Sequence, residues 1–346
     1  METISLTRPD DWHLHVRDGE LLSEVVPYSA RVFGRAIIMP NLKPPVVDVD
    51  AARAYRERIL AAVPDAASFT PLMTLYLTDN TTPRDIERAA ASGTVQAVKL
   101  YPAGATTNSD SGVTDLDRCQ ETLAAMAEHD LPLLIHGEIT TRGTDIFDRE
   151  AAFLEERLSP LLARHPRLRI VLEHITTARA ADFVRQGPPN LAATITAHHL
   201  LLNRNDMLVG GIRPHYYCLP VLKREQDRQA LIEAATSGNP KFFLGTDSAP
   251  HPRSAKVADC GCAGVFSAPA ALPVYAAVFE QAGALDRLEG FASHFGADFY
   301  GLPRNNERLT LRREPWSVPA SLPCGDDRLV PLLAGDDLSW RVVAAD

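Results

Sequence analysis

The chain has 346 residues, of which 45% are hydrophobic and 23% charged, and its formal net charge is −9. A negative balance without a Lys/Arg cluster argues against binding of nucleic acid or of an anionic membrane. Residues 1–11 lack the apolar core of a signal peptide, and no window approaches the roughly 18 uninterrupted apolar residues of a membrane span. We therefore expect a cytoplasmic protein that acts on a small molecule.

Strands and helices are predicted in alternation along most of the chain, which is typical of a parallel sheet covered by helices. The eight predicted strands are residues 4–12, 36–39, 69–77, 97–100, 133–135, 170–172, 192–196 and 242–244. Helical spacing of apolar residues marks residues 49–62, 83–91, 116–129 and 150–164. Polar caps precede two of these helices, at Thr82 and at Thr114 with Asp115.

These elements predict an α/β protein built as an eight-stranded (β/α)8 TIM-type barrel. No linker is long or polar enough to divide the chain, so we expect a single domain over residues 1–346. Residues 303–346 would form a short C-terminal extension that covers the barrel.

The first strand ends in His13 and His15, two residues apart. Their imidazoles therefore point to the same side of the sheet and could hold one cation. Taken alone, two packed or hydrogen-bonded histidines are an equally good interpretation.

Two further histidines, His136 and His174, each close a predicted strand of their own. Individually, each is more often a core histidine. The carboxyl ends of barrel strands meet on one face, however, and four imidazoles at three strand ends favour a metal site there.

Asp247 and Lys99 extend this pattern to two more strand ends. A carboxylate after an apolar strand needs a partner to stay ionised, and a metal would supply one, although a turn-capping Asp is an equally common arrangement. Burial among cations would favour the neutral amine of Lys99, which reacts with carbon dioxide to give an anionic carbamate. A lysine that reaches the barrel rim is the alternative.

The five cysteines form an odd set, typical of reduced thiols in a long chain: Cys119, Cys218, Cys260, Cys262 and Cys324. Residues 260–262 lack the second ligand pair of a zinc ribbon. We interpret them as a tight loop, with metal binding as the less favoured alternative.

The ordered series of His13, His15, Lys99, His136, His174 and Asp247 resembles the binuclear branch of the amidohydrolase superfamily. The closer resemblance is to the dihydroorotases, through residues 11–18, 39–42, 98–102, 245–251 and 260–266. Because His13 lies so near the start, the chain is most similar to the short, single-domain bacterial-type class. The resemblance implies reversible cyclisation of N-carbamoyl-L-aspartate to L-dihydroorotate in de novo pyrimidine biosynthesis.

The resemblance also implies two zinc ions and a role for each ligand. His13, His15 and Asp247 would hold one ion, and His136 and His174 the other. Carboxylated Lys99 and a hydroxide would bridge the two ions. Asp247 would be the catalytic residue that moves the proton.

Substrate contacts follow from the same resemblance. The family's grip on the substrate carboxylate matches Arg17, Asn41 and His251, and its mobile loop matches Thr106 and Thr107. The remaining substrate contacts would come from His15, His136, Leu219 and Ala263. His198 and His199 match no ligand position, and we expect them either to contact the ligand residues or to be structural. A homodimer is the family's usual assembly.

Two alternative functions stay open. The first is another cyclic-amide hydrolase, similar to hydantoinases and dihydropyrimidinases. The second is a non-catalytic barrel that serves as a binding or assembly partner.

Overall fold

The structure is a computed structural model that describes residues 2–259 and 261–343. Cys260, which belongs to the predicted tight loop, and residues 344–346 of the predicted extension lie outside the described residues. In the described part of the chain, no helix is both long and apolar enough to cross a membrane.

Eight parallel strands form the central sheet, and each is hydrogen-bonded to the next in chain order. They are β2 (Asp11–Leu14), β3 (Arg35–Ile38), β4 (Thr70–Tyr76), β5 (Val95–Leu100), β6 (Leu133–His136), β7 (Ile170–Glu173), β8 (Leu191–Ile195) and β9 (Phe242–Leu244). Main-chain bonds from Asp247 to His13, 2.9 Å, and from His15 to Ser248, 3.1 Å, join the last strand end to the first. The predicted TIM-type barrel is thereby confirmed.

Helices connect and surround the strands. The α-helices are α1 (Glu20–Ala30), α2 (Val49–Ala61), α3 (Pro83–Ala91), α4 (Gln120–Glu128), α5 (Arg149–Phe153), α6 (Ser159–Arg164), α7 (Ala178–Gln186), α8 (Ala197–Leu201), α9 (Arg204–Leu208), α10 (Glu225–Thr236), α11 (Arg253–Lys256), α12 (Ala271–Gln281) and α13 (Phe295–Tyr300). Short 3-10 turns cover Leu116–Cys119, Pro214–Tyr216 and Leu285–Arg287, and π-helical turns cover Leu154–Leu158 and Gly290–His294.

The predicted caps have partly different roles. Thr82 and Asp85 form a capping box at the start of α3, with Pro83 in the first turn. Asp115 accepts a hydrogen bond from the amide of Asp117 and so caps the turn before α4. Thr114 instead binds the carboxylate of Asp79.

The predicted strand at residues 4–12 is two strands in two different sheets. β1 (Thr3–Thr7) pairs antiparallel with β10 (Arg308–Ser317), which pairs in turn with β13 (Asp337–Val343). Pro9 lies between β1 and β2 and has no amide proton for a strand ladder. A small hairpin, β11 (Leu322–Cys324) with β12 (Asp327–Leu329), completes the C-terminal part.

The amino-terminal end of the barrel is filled by apolar side chains. An inner cluster contains Trp12, Phe243 and Tyr300, and the Trp12 and Tyr300 rings stack at 4.6 Å between centroids. Gly296 on the adjoining helical turn has no room for a side chain, since a Cβ would lie 2.0 Å from Nε1 of Trp12. This packing closes the amino-terminal end and leaves the carboxyl end for polar groups.

Candidate metal centre and active site

The strand alternation places the predicted ligands inside the barrel. Ala97 and Leu134 belong to the inner cluster, and Lys99 and His136 follow two residues later on the same strands. Since side chains two apart on a strand share a face, both point to the barrel interior at its carboxyl end.

His13, His15 and Asp247 converge on a common point. Nε2 of His13 lies 3.3 Å from Nε2 of His15. One carboxylate oxygen of Asp247 lies 3.3 Å from Nε2 of His13 and 3.1 Å from Nε2 of His15. Three buried donors at such distances can hold one cation.

The protonation states of His15 and Asp247 suit the binding of a metal ion. Burial lowers the pKa of His15 to about 3, so its imidazole is neutral and has a free electron pair for a metal. Burial alone would raise the pKa of Asp247, but the neighbouring His13 and His15 hold it well below its usual range. The donor set is therefore two imidazoles and one carboxylate.

His136 and His174 lie beside this cluster. The His174 ring is 4.9 Å from those of both His13 and His136, measured between centroids. Among the described residues, Nδ1 of His174 has no hydrogen-bond partner. His136 is oriented by Glu138, whose carboxylate lies 2.7 Å from its Nε2.

Lys99 is fully buried, and its ammonium nitrogen has no hydrogen-bond partner within the described part of the chain. Burial lowers its pKa to about 8. The aromatic face of Tyr101, whose ring centroid is 5.0 Å away, is its cation-π neighbour. An unpaired buried ammonium is costly, so this side chain fits a modified or metal-bound form better than a free amine.

Two of the candidate ligands have strained backbones. The φ angles of His174 and Asp247 are +42° and +43°, a region that residues other than glycine rarely adopt. Such strain concentrates at functional sites, where surrounding structure enforces it.

The predicted substrate contacts surround the same cavity. Its lining includes His15, Arg17, Asn41, Thr106, Thr107, His136, Leu219 and Ala263. His251 lies behind it, with Nε2 at 2.9 Å from a guanidinium nitrogen of Arg17 and at 3.0 Å from the Ala263 carbonyl. The structure thus brings all the predicted site residues together, while their roles stay predictions.

The loop of residues 104–112 lies over the cavity. Thr107 donates from Oγ1 to the Ala263 carbonyl, and the Asn41 side chain donates to the Thr107 carbonyl. Asn108 completes the contact by donating to the carbonyl of Asn41. In this closed arrangement the remaining cavity is only about 20 Å³.

A second cavity, of about 540 Å³, is larger but contains none of the candidate ligands. It lies between the segments that follow β5 and β6 and the helical stretch around α6. Of these two cavities, the smaller is therefore the one that the candidate ligands line.

A second cluster of possible donors is formed by His198, His199 and Cys218. Both ring nitrogens of His199 already have partners, the Thr196 hydroxyl at 2.7 Å and the Pro220 carbonyl at 3.0 Å. This bonding agrees with a structural role for His199, whereas both ring nitrogens of the buried His198 have no hydrogen-bond partner among the described residues.

Several residues of the site were not assigned a role from the sequence. Glu173 accepts from Nδ1 of His13 at 2.6 Å and from the Thr194 hydroxyl at 2.6 Å, which fixes the imidazole orientation. Asp11 accepts from the amides of His13 and Thr246 and ties the first and last strand ends together. The available signal was a buried acid at the first residue of β2 for Asp11 and at the last residue of β7 for Glu173.

Known proteins with similar sequences match nearly the whole chain. A family model described as the amidohydrolase family matches residues 10–324. A dihydroorotase of Alkalilimnicola ehrlichii is 70% identical over 343 residues, which is 99% of this chain and 100% of that protein.

Two solved dihydroorotase structures are also similar. The Campylobacter jejuni enzyme has 40% identity and a TM-score of 0.90, and the match covers 98% of this chain and 97% of that one. The Saccharomyces cerevisiae enzyme, in complex with 5-fluoroorotic acid, has 37% identity and a TM-score of 0.92, with 99% of both chains covered. The chain therefore belongs to the amidohydrolase family and, within it, to the dihydroorotases.

Proposed function

We propose that the chain interconverts N-carbamoyl-L-aspartate and L-dihydroorotate, the ring-closing step of de novo pyrimidine biosynthesis, at a binuclear zinc centre. One observation carries this proposal. The half-buried Arg17 lines the same cavity as the His13, His15 and Asp247 donors, and it forms no ion pair with a carboxylate of the described residues. A guanidinium in that position suits a substrate that brings its own carboxylate.

The donor set supports two metal ions. His13, His15 and Asp247 would hold one, and His136 and His174 the other. The buried Lys99 amine, which lacks a hydrogen-bond partner among the described side chains, supports a carbamate as the bridging anion. Imidazole and carboxylate ligands are those that zinc uses in catalytic sites.

When bound, the two zinc ions would supply a water of lowered pKa and a Lewis acid for the amide carbonyl. The protein's own contribution is to position and to move protons. Asp247, held as a carboxylate beside the histidines, would take a proton from the attacking water and deliver it to the departing amide nitrogen. In ring closure the same proton would move in reverse.

Substrate orientation would come from both sides of the cavity. Arg17, Asn41 and His251 would bind the carboxylate, and the main chain at Leu219 and Ala263 would contact the ring. Thr106 and Thr107 on the closed loop would cover the substrate and exclude water.

We propose further that the chain is one domain, active as a homodimer in the cytoplasm. The pairing of β10 with β1 supports a C-terminal segment that is part of the barrel unit rather than a separate domain. Sedimentation of the zinc-loaded protein tests the assembly, and a single unfolding transition for the whole chain tests the domain proposal.

The decisive experiment measures zinc per chain together with turnover of dihydroorotate. We expect two ions per chain and turnover in both directions. Hydrolysis of hydantoin or dihydrouracil, without activity on dihydroorotate, would identify another cyclic-amide hydrolase instead. Protein that takes up no metal and stays inactive after zinc and bicarbonate are supplied would be a non-catalytic barrel.

A further inference from the structure

We propose that Lys256 is a positioning residue for this reaction, whose ammonium holds together one wall of the substrate cavity and adds an unpaired positive charge beside it. The inference rests on the proposed function, since it assigns a role toward the same anionic substrates. Lys256 ends α11 and is only 4% exposed.

All three ammonium protons of Lys256 are used on main-chain carbonyls. Nζ donates to Tyr217 at 2.8 Å, to Cys262 at 2.7 Å and to Gly264 at 2.7 Å. No carboxylate of residues 2–259 and 261–343 lies within ion-pair distance of it. This buried ammonium is therefore stabilised by three carbonyl dipoles and by the Tyr217 ring, whose centroid lies 5.8 Å away, rather than by a carboxylate.

The three carbonyls belong to two separate segments that meet at the cavity. Residues 217–219 contribute Leu219 to the lining, and residues 262–264 contribute Ala263 and Gly264. A further bond, from the Gly264 amide to the Tyr217 carbonyl at 2.9 Å, joins the segments. Lys256 thus crosslinks the two segments that form this wall.

The loop of residues 104–112 also contacts this wall of the cavity. The Ala263 carbonyl, between two residues bound by Lys256, accepts from Thr107 at 3.2 Å. Gly264 is confined there by its φ of +147°, and a Cβ would lie 2.5 Å from the Ala249 carbonyl. Displacement of this wall would therefore disturb both the ring contacts and the seat of the loop.

The charge of Lys256 gives the second part of the proposal. Burial lowers its pKa to about 8, so the ammonium form still predominates at pH 7. N-carbamoyl-L-aspartate carries two carboxylates and dihydroorotate one. An unpaired cation beside the cavity stabilises the dianion more strongly than the monoanion, because Coulomb attraction scales with charge.

Lys241 is a matched control at the opposite end of the barrel. It also donates to main-chain carbonyls, those of Val184 and Gly187, but it lies immediately before β9 and far from the donor cluster at the other strand end. Its replacement shows how far the loss of a carbonyl-binding lysine lowers stability when no substrate cavity is nearby.

The experiment compares Lys256→Met and Lys241→Met with the unaltered, zinc-loaded protein, measuring kcat and KM for both substrates, zinc content and Tm. For Lys256→Met we expect two zinc ions per chain and a KM that rises about tenfold for N-carbamoyl-L-aspartate. The rise should be smaller for dihydroorotate, and kcat should change less than KM. For Lys241→Met we expect a lower Tm with both KM values unchanged.

Two charge variants keep the test decisive if Lys256→Met does not fold. Lys256→Arg should restore most of the affinity for the dianion, whereas Lys256→Gln, which keeps donors but no charge, should not. KM values within twofold of the unaltered protein for both substrates, in Lys256→Met or Lys256→Gln, would overturn the proposal. An equal rise for both substrates would overturn the charge contribution. Failure of the proposed function is distinguishable, because the unaltered protein itself would then not turn over dihydroorotate.

Discussion

The amino-terminal end of the barrel is filled by apolar and aromatic side chains, whereas its carboxyl-terminal end contains buried basic groups without hydrogen-bond partners among the described residues. Trp12 stacks on Tyr300 at the first end, where burial of apolar surface stabilises the fold. At the second end, the Lys99 amine and Nδ1 of His174 have no hydrogen-bond partner among the described residues. At the amino-terminal end only the indole N–H of Trp12 and the hydroxyl of Tyr300 lack such a partner, and both belong to rings packed in the apolar cluster. Unpartnered basic groups at the carboxyl end are expected for a site that binds metal and substrate.

Substitution of Lys99 should give the largest effect. Lys99→Ala removes the buried amine and with it the proposed carbamate, so we expect loss of bound zinc and of turnover, with partial recovery in added short carboxylic acids. Zinc content and turnover, measured with and without such acids, check this. Full activity of the variant would exclude a carbamate bridge.

Replacement of Asp247 should have the second largest effect on activity. Asp247→Asn keeps the shape but removes the proton acceptor, and we expect kcat to fall by about 10³ in both directions. Rates should be expressed per zinc-loaded chain, because the carboxylate is also a candidate ligand. Normal turnover would show that a different group moves the proton.

Substitution of Arg17 tests the proposed contact with the substrate carboxylate at the carboxyl end of the barrel. Arg17→Met should raise KM for dihydroorotate about 100-fold, since a charge-assisted contact to a carboxylate contributes about 3 kcal/mol. Zinc content should not change. Arg58→Met is the matched control, because Arg58 binds Asp18 at the exposed surface. An equal effect of both substitutions would contradict a carboxylate contact by Arg17.

The candidate ligands at the carboxyl end of the barrel were more predictable from the sequence than the contacts that support the cavity walls. Lys99, His136, His174 and Asp247 each interrupt or close an apolar strand, and barrel geometry brings such positions to one face. The crosslink that Lys256 makes between residues 217–219 and 262–264 was not predictable, because its acceptors are main-chain carbonyls whose direction depends on loop conformation.

The fold was predictable to a similar degree. Seven of the eight barrel strands lie within about two residues of the predicted positions, since apolar runs and helical periodicity are local signals. The division of residues 4–12 between two sheets depends on the distant partner β10, and the apolar pattern alone does not contain that pairing.

Gly296 tests the amino-terminal end and should have the smallest effect on catalysis. Gly296→Ala places a Cβ against the Trp12 indole, and such overpacking costs about 1–3 kcal/mol. We expect a lower Tm but unchanged kcat and KM for the folded, zinc-loaded enzyme.

A second substitution separates this clash from other causes. Trp12→Val removes the three indole atoms that the new Cβ would meet, Nε1 at 2.0 Å, Cε2 at 2.4 Å and Cδ1 at 2.5 Å. The double variant should therefore be more stable than the sum of the single effects predicts, and thermal unfolding of all four proteins measures this coupling. Additive effects would mean that the indole is not what excludes a side chain at position 296. A changed KM in Gly296→Ala would mean that the two ends of the barrel are not independent.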